Sequence, residues 1–120
     1  MLSITQFTIH KHALALDVTL TSDDASIENT WHFSFEYLRV AGLDSNTKLV
    51  SNKKLVELVR IEAVAKHGYR FCFDDGFEVI YNQHELAQLH QHHDTIWQTY
   101  LDALAEQKLS REANIDIKQL

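Results

Sequence analysis

Proline is absent from this 120-residue chain, glycine occurs three times and cysteine once. Without proline no turn is preset by a locked φ, so element boundaries rest on Gly, Asn and Asp. The single cysteine, Cys72, excludes an internal disulfide and fits a reducing compartment. Positive charge is scarce: 11 Lys and Arg face 17 Asp and Glu, a formal net charge of −6. That balance argues against a nucleic-acid backbone, which requires a basic face, and against an anionic membrane surface. No stretch is long and apolar enough to span a bilayer. The start, Met1-Leu2-Ser3-Ile4-Thr5-Gln6-Phe7, has neither the basic region nor the apolar run of a signal peptide. Also missing are a Gly-rich phosphate loop, a nucleophile elbow and an acid–base pair at fixed spacing. A single cytoplasmic domain with one core is expected.

What is present is a weak internal repeat. Leu20-Thr21-Ser22-Asp23-Asp24 is followed by Trp31-His32-Phe33-Ser34-Phe35-Glu36-Tyr37-Leu38-Arg39. Phe71-Cys72-Phe73-Asp74-Asp75-Gly76 is followed by Phe77-Glu78-Val79-Ile80-Tyr81, then Asn82-Gln83-His84-Glu85-Leu86. Each copy reads as a hairpin running into a helix. Upstream, residues 4–10 and 13–20 alternate apolar and polar around the turn His10-Lys11-His12. Phe7 and Ile9 share one face; Leu14, Leu16, Val18 and Leu20 form another. Asp23-Asp24 and Asp74-Asp75-Gly76 have turn chemistry, and Gly76 is expected at positive φ. A short helix is expected from Ser34 or Phe35 through Val40, closing near Gly42. Residues 44–54 are polar and read as a loop, residues 56–64 as a β-branched strand, and Lys66-His67-Gly68 as a turn.

Asn82 with Glu85 three residues on has the pattern of a capping box. Leu86, Leu89, His93, Ile96, Trp97, Tyr100, Leu101 and Leu104 follow at helical spacing. The run His90-Gln91-His92-His93-Asp94 interrupts them, with Asp94 a candidate cap of a second helix. The expected fold is α+β. It has a mainly antiparallel sheet built from hairpin-then-helix units, with a C-terminal amphipathic helical segment. A small open barrel with a C-terminal helix is the alternative. Residues 1–109 form the domain, and 110–120 read as a flexible tail.

Four motifs in order carry a resemblance: Phe35-Glu36-Tyr37-Leu38-Arg39-Val40, Ile61-Glu62-Ala63-Val64, Phe73-Asp74-Asp75-Gly76 and Ile96-Trp97-Gln98-Thr99-Tyr100-Leu101. Over residues 13–106 the chain resembles the gamma-butyrobetaine hydroxylase-like N-terminal domain family. Some members of that family precede the catalytic domain of a 2-oxoglutarate- and iron-dependent oxygenase of carnitine synthesis. Some are fused to iron–sulfur carrier ATPases. Many are free-standing bacterial proteins of unknown function, the kind this chain is most similar to. In the oxygenases the resemblance implies a structural zinc held by three cysteines after the first motif and a histidine after the second Asp-Gly turn. Here residues 40–54 contain no cysteine and Phe77 stands at the histidine's place. The four N or S ligands of a structural zinc are therefore absent, and no metal site or cofactor is expected. The jelly-roll domain with its two-His-one-carboxylate triad has no counterpart in 120 residues.

The remaining candidates have plainer readings. His84, His90, His92 and His93, or His10 and His12, match no ligand pattern and read as solvated or helix-capping residues. Cys72 lies mid-strand and reads as a buried, inert thiol. Asp74 and Asp75 spell a turn before they spell a catalytic pair. The expected function is a non-catalytic accessory or protein-interaction module, linked through the resemblance to iron–sulfur cluster handling, with an iron–sulfur carrier ATPase as the partner. The alternative is a metal-binding or 2-oxoglutarate-oxygenase-associated domain; a small-molecule pocket beneath residues 45–54 is a third reading. Glu36, Tyr37 and Arg39, with the neighbouring 43–54 loop, form the candidate partner surface, because Tyr and Arg are enriched at binding hot spots. The plainer alternative pairs Arg39 with Glu36 or with the Asp23-Asp24 turn.

Overall fold

The computed structural model describes residues 2–41 and 52–111. The expected helix closure near Gly42, most of the polar loop and its underlying pocket, and residues 112–120 lie outside the described residues. Two three-stranded antiparallel sheets and three helices make up the fold. The first unit is β1 (Leu2–His10), β2 (Ala15–Ser22), β3 (Glu28–Ser34) and α1 (Phe35–Ala41). The second is β4 (Leu58–Val64), β5 (Gly68–Phe73), β6 (Glu78–Tyr81), α2 (Gln83–Gln91) and α3 (His93–Glu106). The α+β expectation is met, as two sheets in place of one. The repeated unit is also one strand longer than the hairpin-then-helix pattern suggested, since β1 and β4 each join the hairpin that follows.

Period-two alternation builds both sheets. Leu16, Val18 and Leu20 of β2 and Phe33 of β3 are buried on one face of the first sheet. In β1 the register slips between Ile4 and Gln6. This bulge at Thr5 puts Leu2 and Ile4 on the same face as Phe7 and Ile9, all four packed against the core. Phe71 and Phe73 bury the corresponding face of the second sheet, and Phe7 makes edge contacts with Tyr69 and Phe71, at 4.9 and 5.9 Å between ring centroids. One core thus joins both sheets with Phe35, Tyr37 and Leu38 of α1 and Leu86 of α2. Each such fully buried side chain contributes about 1.5–3 kcal/mol of transfer free energy.

Local signals set the ends. Ser34 Oγ accepts the Tyr37 N–H at 3.0 Å and starts α1. Asn82 Oδ1 accepts the Glu85 N–H at 2.7 Å while Glu85 Oε1 accepts the Asn82 N–H at 2.9 Å, a complete capping box for α2. The helical stripe does break in the histidine run. The break is at His92, whose φ of −104° and ψ of 22° depart from the helix. Asp94 does not cap α3: it lies in the first turn, where its charge complements the helix dipole. Ser110 and Arg111, placed in the tail by sequence pattern, are held to the fold. Their carbonyls accept the N–H groups of Asn52 and Lys54 at 2.7 and 2.8 Å.

Candidate functional site

Helix α1 is seven residues long, and six of them, Phe35 through Val40, are buried. An isolated helix this short has no stability of its own; three polar anchors hold it in place. Glu36, 5% exposed, accepts from Arg111 Nε at 2.9 Å and Nη2 at 2.8 Å and from the Tyr100 hydroxyl at 3.2 Å. Tyr37, fully buried, donates to the Leu89 carbonyl at 2.7 Å at the end of α2. Arg39, 7% exposed, donates through Nε to Asp75 Oδ2 at 2.9 Å and lies 3.8 Å over the Phe77 ring. Lys53 Nζ reaches the same Asp75 oxygen at 2.7 Å. A reciprocal bond from β6, Tyr81 hydroxyl to the Leu38 carbonyl at 2.6 Å, fixes the middle of α1.

The candidate partner residues Glu36, Tyr37 and Arg39 are therefore interior, not surface. Arg39 pairs with Asp75, not with Glu36 or Asp24. Asp24 accepts from Ser22 Oγ, Ser26 N and Ser26 Oγ at 2.7–3.0 Å and closes its own turn. Asp75, which ties the second repeat to the first, is the residue that sequence reasoning missed. A buried arginine needs a carboxylate, and its pairing across 36 residues leaves no local pattern to read. Arg39 Nη1 is buried with no hydrogen-bond partner among the described residues.

These ties set the ionisation of the site. Burial alone would raise the Asp75 carboxyl, but hydrogen bonds from Lys53, Arg39 and the Phe77 N–H outweigh it and bring it down to about 2. Burial, with Glu36 alongside, pushes the Tyr100 hydroxyl well above the usual phenol range. Burial lifts Tyr37 to about 12. Asp74 and Asp75 do not converge. Asp74 accepts from the Glu57 N–H at 3.2 Å, while Asp75 Oδ1 accepts from the Phe77 N–H at 3.1 Å. They form the turn, not an acid–base pair.

Elsewhere the histidines separate. Asp17 stands between His32 Nδ1 at 2.6 Å and His10 Nε2 at 3.0 Å on the polar face of the first sheet. His32 joins His10 there, while His12 lies in the turn. Hydrogen bonding from His32, in excess of the cost of burial, lowers the Asp17 carboxyl. His90 stacks on Trp31 at 5.5 Å, and His93 packs against Tyr37 at 4.5 Å. Among the described residues no group of three or more His, Cys, Asp or Glu is arranged to hold a metal ion.

The zinc of the resembling oxygenases has no fitting donor set here: Cys72 is the chain's one cysteine, and Phe77, at the histidine's place, is covered by the Arg39 guanidinium. Cys72 itself is 4% exposed but lies outside the core, on the opposite face of β5 from Phe71 and Phe73. Its Sγ is 3.8 Å from Glu62 Oε1, within a charged lattice of Arg60, Glu62, Arg70 and Glu78. Desolvation, with these carboxylates, raises its pKa, which favours the protonated thiol.

No family model matches the chain, and no curated protein matches it. Solved structures do. One NMR solution structure is 24% identical with a TM-score of 0.73, over 100% of this chain and 98% of its own. A second is 27% identical with a TM-score of 0.73, over 98% and 90%. A crystal structure of a protein of unknown function from Acidithiobacillus ferrooxidans is 22% identical with a TM-score of 0.58, over 72% and 91%. These likenesses establish a shared fold. The Acidithiobacillus protein belongs to the DUF971 family, which is the family of the gamma-butyrobetaine hydroxylase-like N-terminal domain. No described helix is long and apolar enough to cross a membrane.

Proposed function

We propose that the chain is a free-standing member of the gamma-butyrobetaine hydroxylase-like N-terminal domain family and a non-catalytic accessory module. It would act in the cytoplasm by docking to a protein of iron–sulfur cluster handling, an iron–sulfur carrier ATPase being the partner class. One observation carries this reading: the motifs behind the resemblance are internal ties. Arg39 of the first motif pairs with Asp75 of the third, and Glu36 of the first accepts from Tyr100 of the fourth. Ile61 of the second pairs in register with Phe71, beside the third. Motif residues that serve one another's placement support a scaffold reading, with Glu36, Arg39, Asp75 and Tyr100 each bonded to a residue of another motif. The pathway rests on analogy with fused relatives.

The test uses the purified full chain. With a purified iron–sulfur carrier ATPase of the same host, calorimetry should show saturable binding. Supplied with iron and 2-oxoglutarate, the chain should release no succinate above a no-enzyme control. Absence of binding to the carrier in both its apo and cluster-loaded forms overturns the partner assignment; succinate release overturns the non-catalytic one.

A further inference from the structure

We infer that β1 is a self-association edge, on which a second copy of this chain adds its own β1 in antiparallel fashion. The inference goes beyond the accessory role and does not depend on it. No other described strand is hydrogen-bonded to the outer side of β1. Such an edge presents unpaired N–H and C=O groups, and proteins usually blunt it with charge or proline. The other outer strands carry charge: Glu28 on β3, Arg60 and Glu62 on β4, Glu78 on β6. From Leu2 to Ile9, β1 carries none.

The edge already accepts a peptide-like group. The Gln83 carboxamide accepts the Ile4 N–H at 3.1 Å and donates to the Leu2 carbonyl at 2.8 Å, as a neighbouring strand would. Leu2 and Ile4 thus direct their backbone groups away from β2. In a ladder that direction alternates, and the bulge at Thr5 shifts it by one residue, so Phe7 and Ile9 also point outward. Alongside runs a groove of about 370 Å³ lined by Ile4, Thr5, Gln6, Phe7 and Ile9 and, from the second sheet, Ile61 and Tyr69.

A second copy fits this edge because the pairing is self-complementary. With Gln83 holding Leu2 and Ile4, the free stretch is centred on Thr8. A twofold axis there pairs Phe7 with Ile9 of the second copy and Ile9 with its Phe7, each pair exchanging both backbone bonds. Thr8 then faces Thr8 of the second copy across a non-hydrogen-bonded site, with Cβ atoms about 4.5–5.5 Å apart. An uncharged strand brings no like charges together, although the chain as a whole carries −6.

Sedimentation velocity on the full chain from micromolar to millimolar concentration, with Thr8→Cys oxidised under mild conditions, tests the inference. The expected result is a concentration-dependent dimer. Thr8→Cys should give a disulfide-linked dimer, while Thr19→Cys, on the central strand, should not. Thr8→Lys should weaken the dimer at least tenfold with the melting point retained, and Gln83→Ala should tighten it by freeing more edge. A monomer throughout, equal cross-linking of both cysteine variants, or β1 amide shifts that appear only on adding a different protein would each overturn it.

Discussion

Gly68 and Gly76 both adopt positive φ, 118° and 86°, for different reasons. A Cβ at Gly76 meets nothing within 4 Å, so Gly76→Val costs only the dihedral, about 1–2 kcal/mol. A Cβ at Gly68 would strike the Tyr81 carbonyl oxygen across the β5–β6 pair. Strain and collision then add, and Gly68→Ala should cost on the order of 3 kcal/mol. Urea midpoints compare the two directly; an equal or smaller loss at Gly68 contradicts the packing. At Arg39 the ion pair, the ring contact and the burial all predict a structural role. Arg39→Ala should cost about 2 kcal/mol, lowering the melting point by roughly 5–10 °C. Lys53 limits the loss by keeping Asp75 paired. An unchanged melting point would return Arg39 to the surface role that its residue type suggests.

At the scale of elements, α1 is made by its neighbours and α2 largely makes itself. The Asn82–Glu85 box satisfies two otherwise unpaired backbone donors, and Asn82→Ala should cost about 1 kcal/mol by denaturant titration. A loss below a few tenths would mean that packing of Leu86 and Leu89 alone places α2. The box is readable because its partners are three residues apart. Anchors of α1 lie 36 to 75 residues away, at Asp75, Leu89, Tyr100 and Arg111. Residue type could mark Glu36, Tyr37 and Arg39 as unusual but could not distinguish a docking surface from a buried joint.

For the whole molecule, Asp75 couples folding to pH. Its carboxyl is near 4 when unfolded and about 2 when folded. A lowered folded value means that ionisation favours the native state. This stabilisation is complete above about pH 4 and is lost as pH falls through about 2. The stability gap between wild type and Asp75→Asn should therefore be widest at neutral pH and narrow between about pH 4 and pH 2. Urea midpoints measured across that range check it; a constant gap would show that the charge on Asp75 does not contribute.

Alternation along β2, turn chemistry at Asp74-Asp75-Gly76, the capping pair at Asn82 and Glu85 and the weak repeat are local or periodic features. They determined the strands, the helices and the α+β class, because backbone preferences act within a few residues. Division into two sheets, the third strand of each unit and the bulge that keeps β1 apolar on one face depend on which strands pair, a choice made by the shared core. The same holds for the candidate site. Only the tertiary structure buried Glu36, Tyr37 and Arg39, because a charged or polar side chain enters an interior where distant parts of the chain supply its counter-charge or hydrogen bonds.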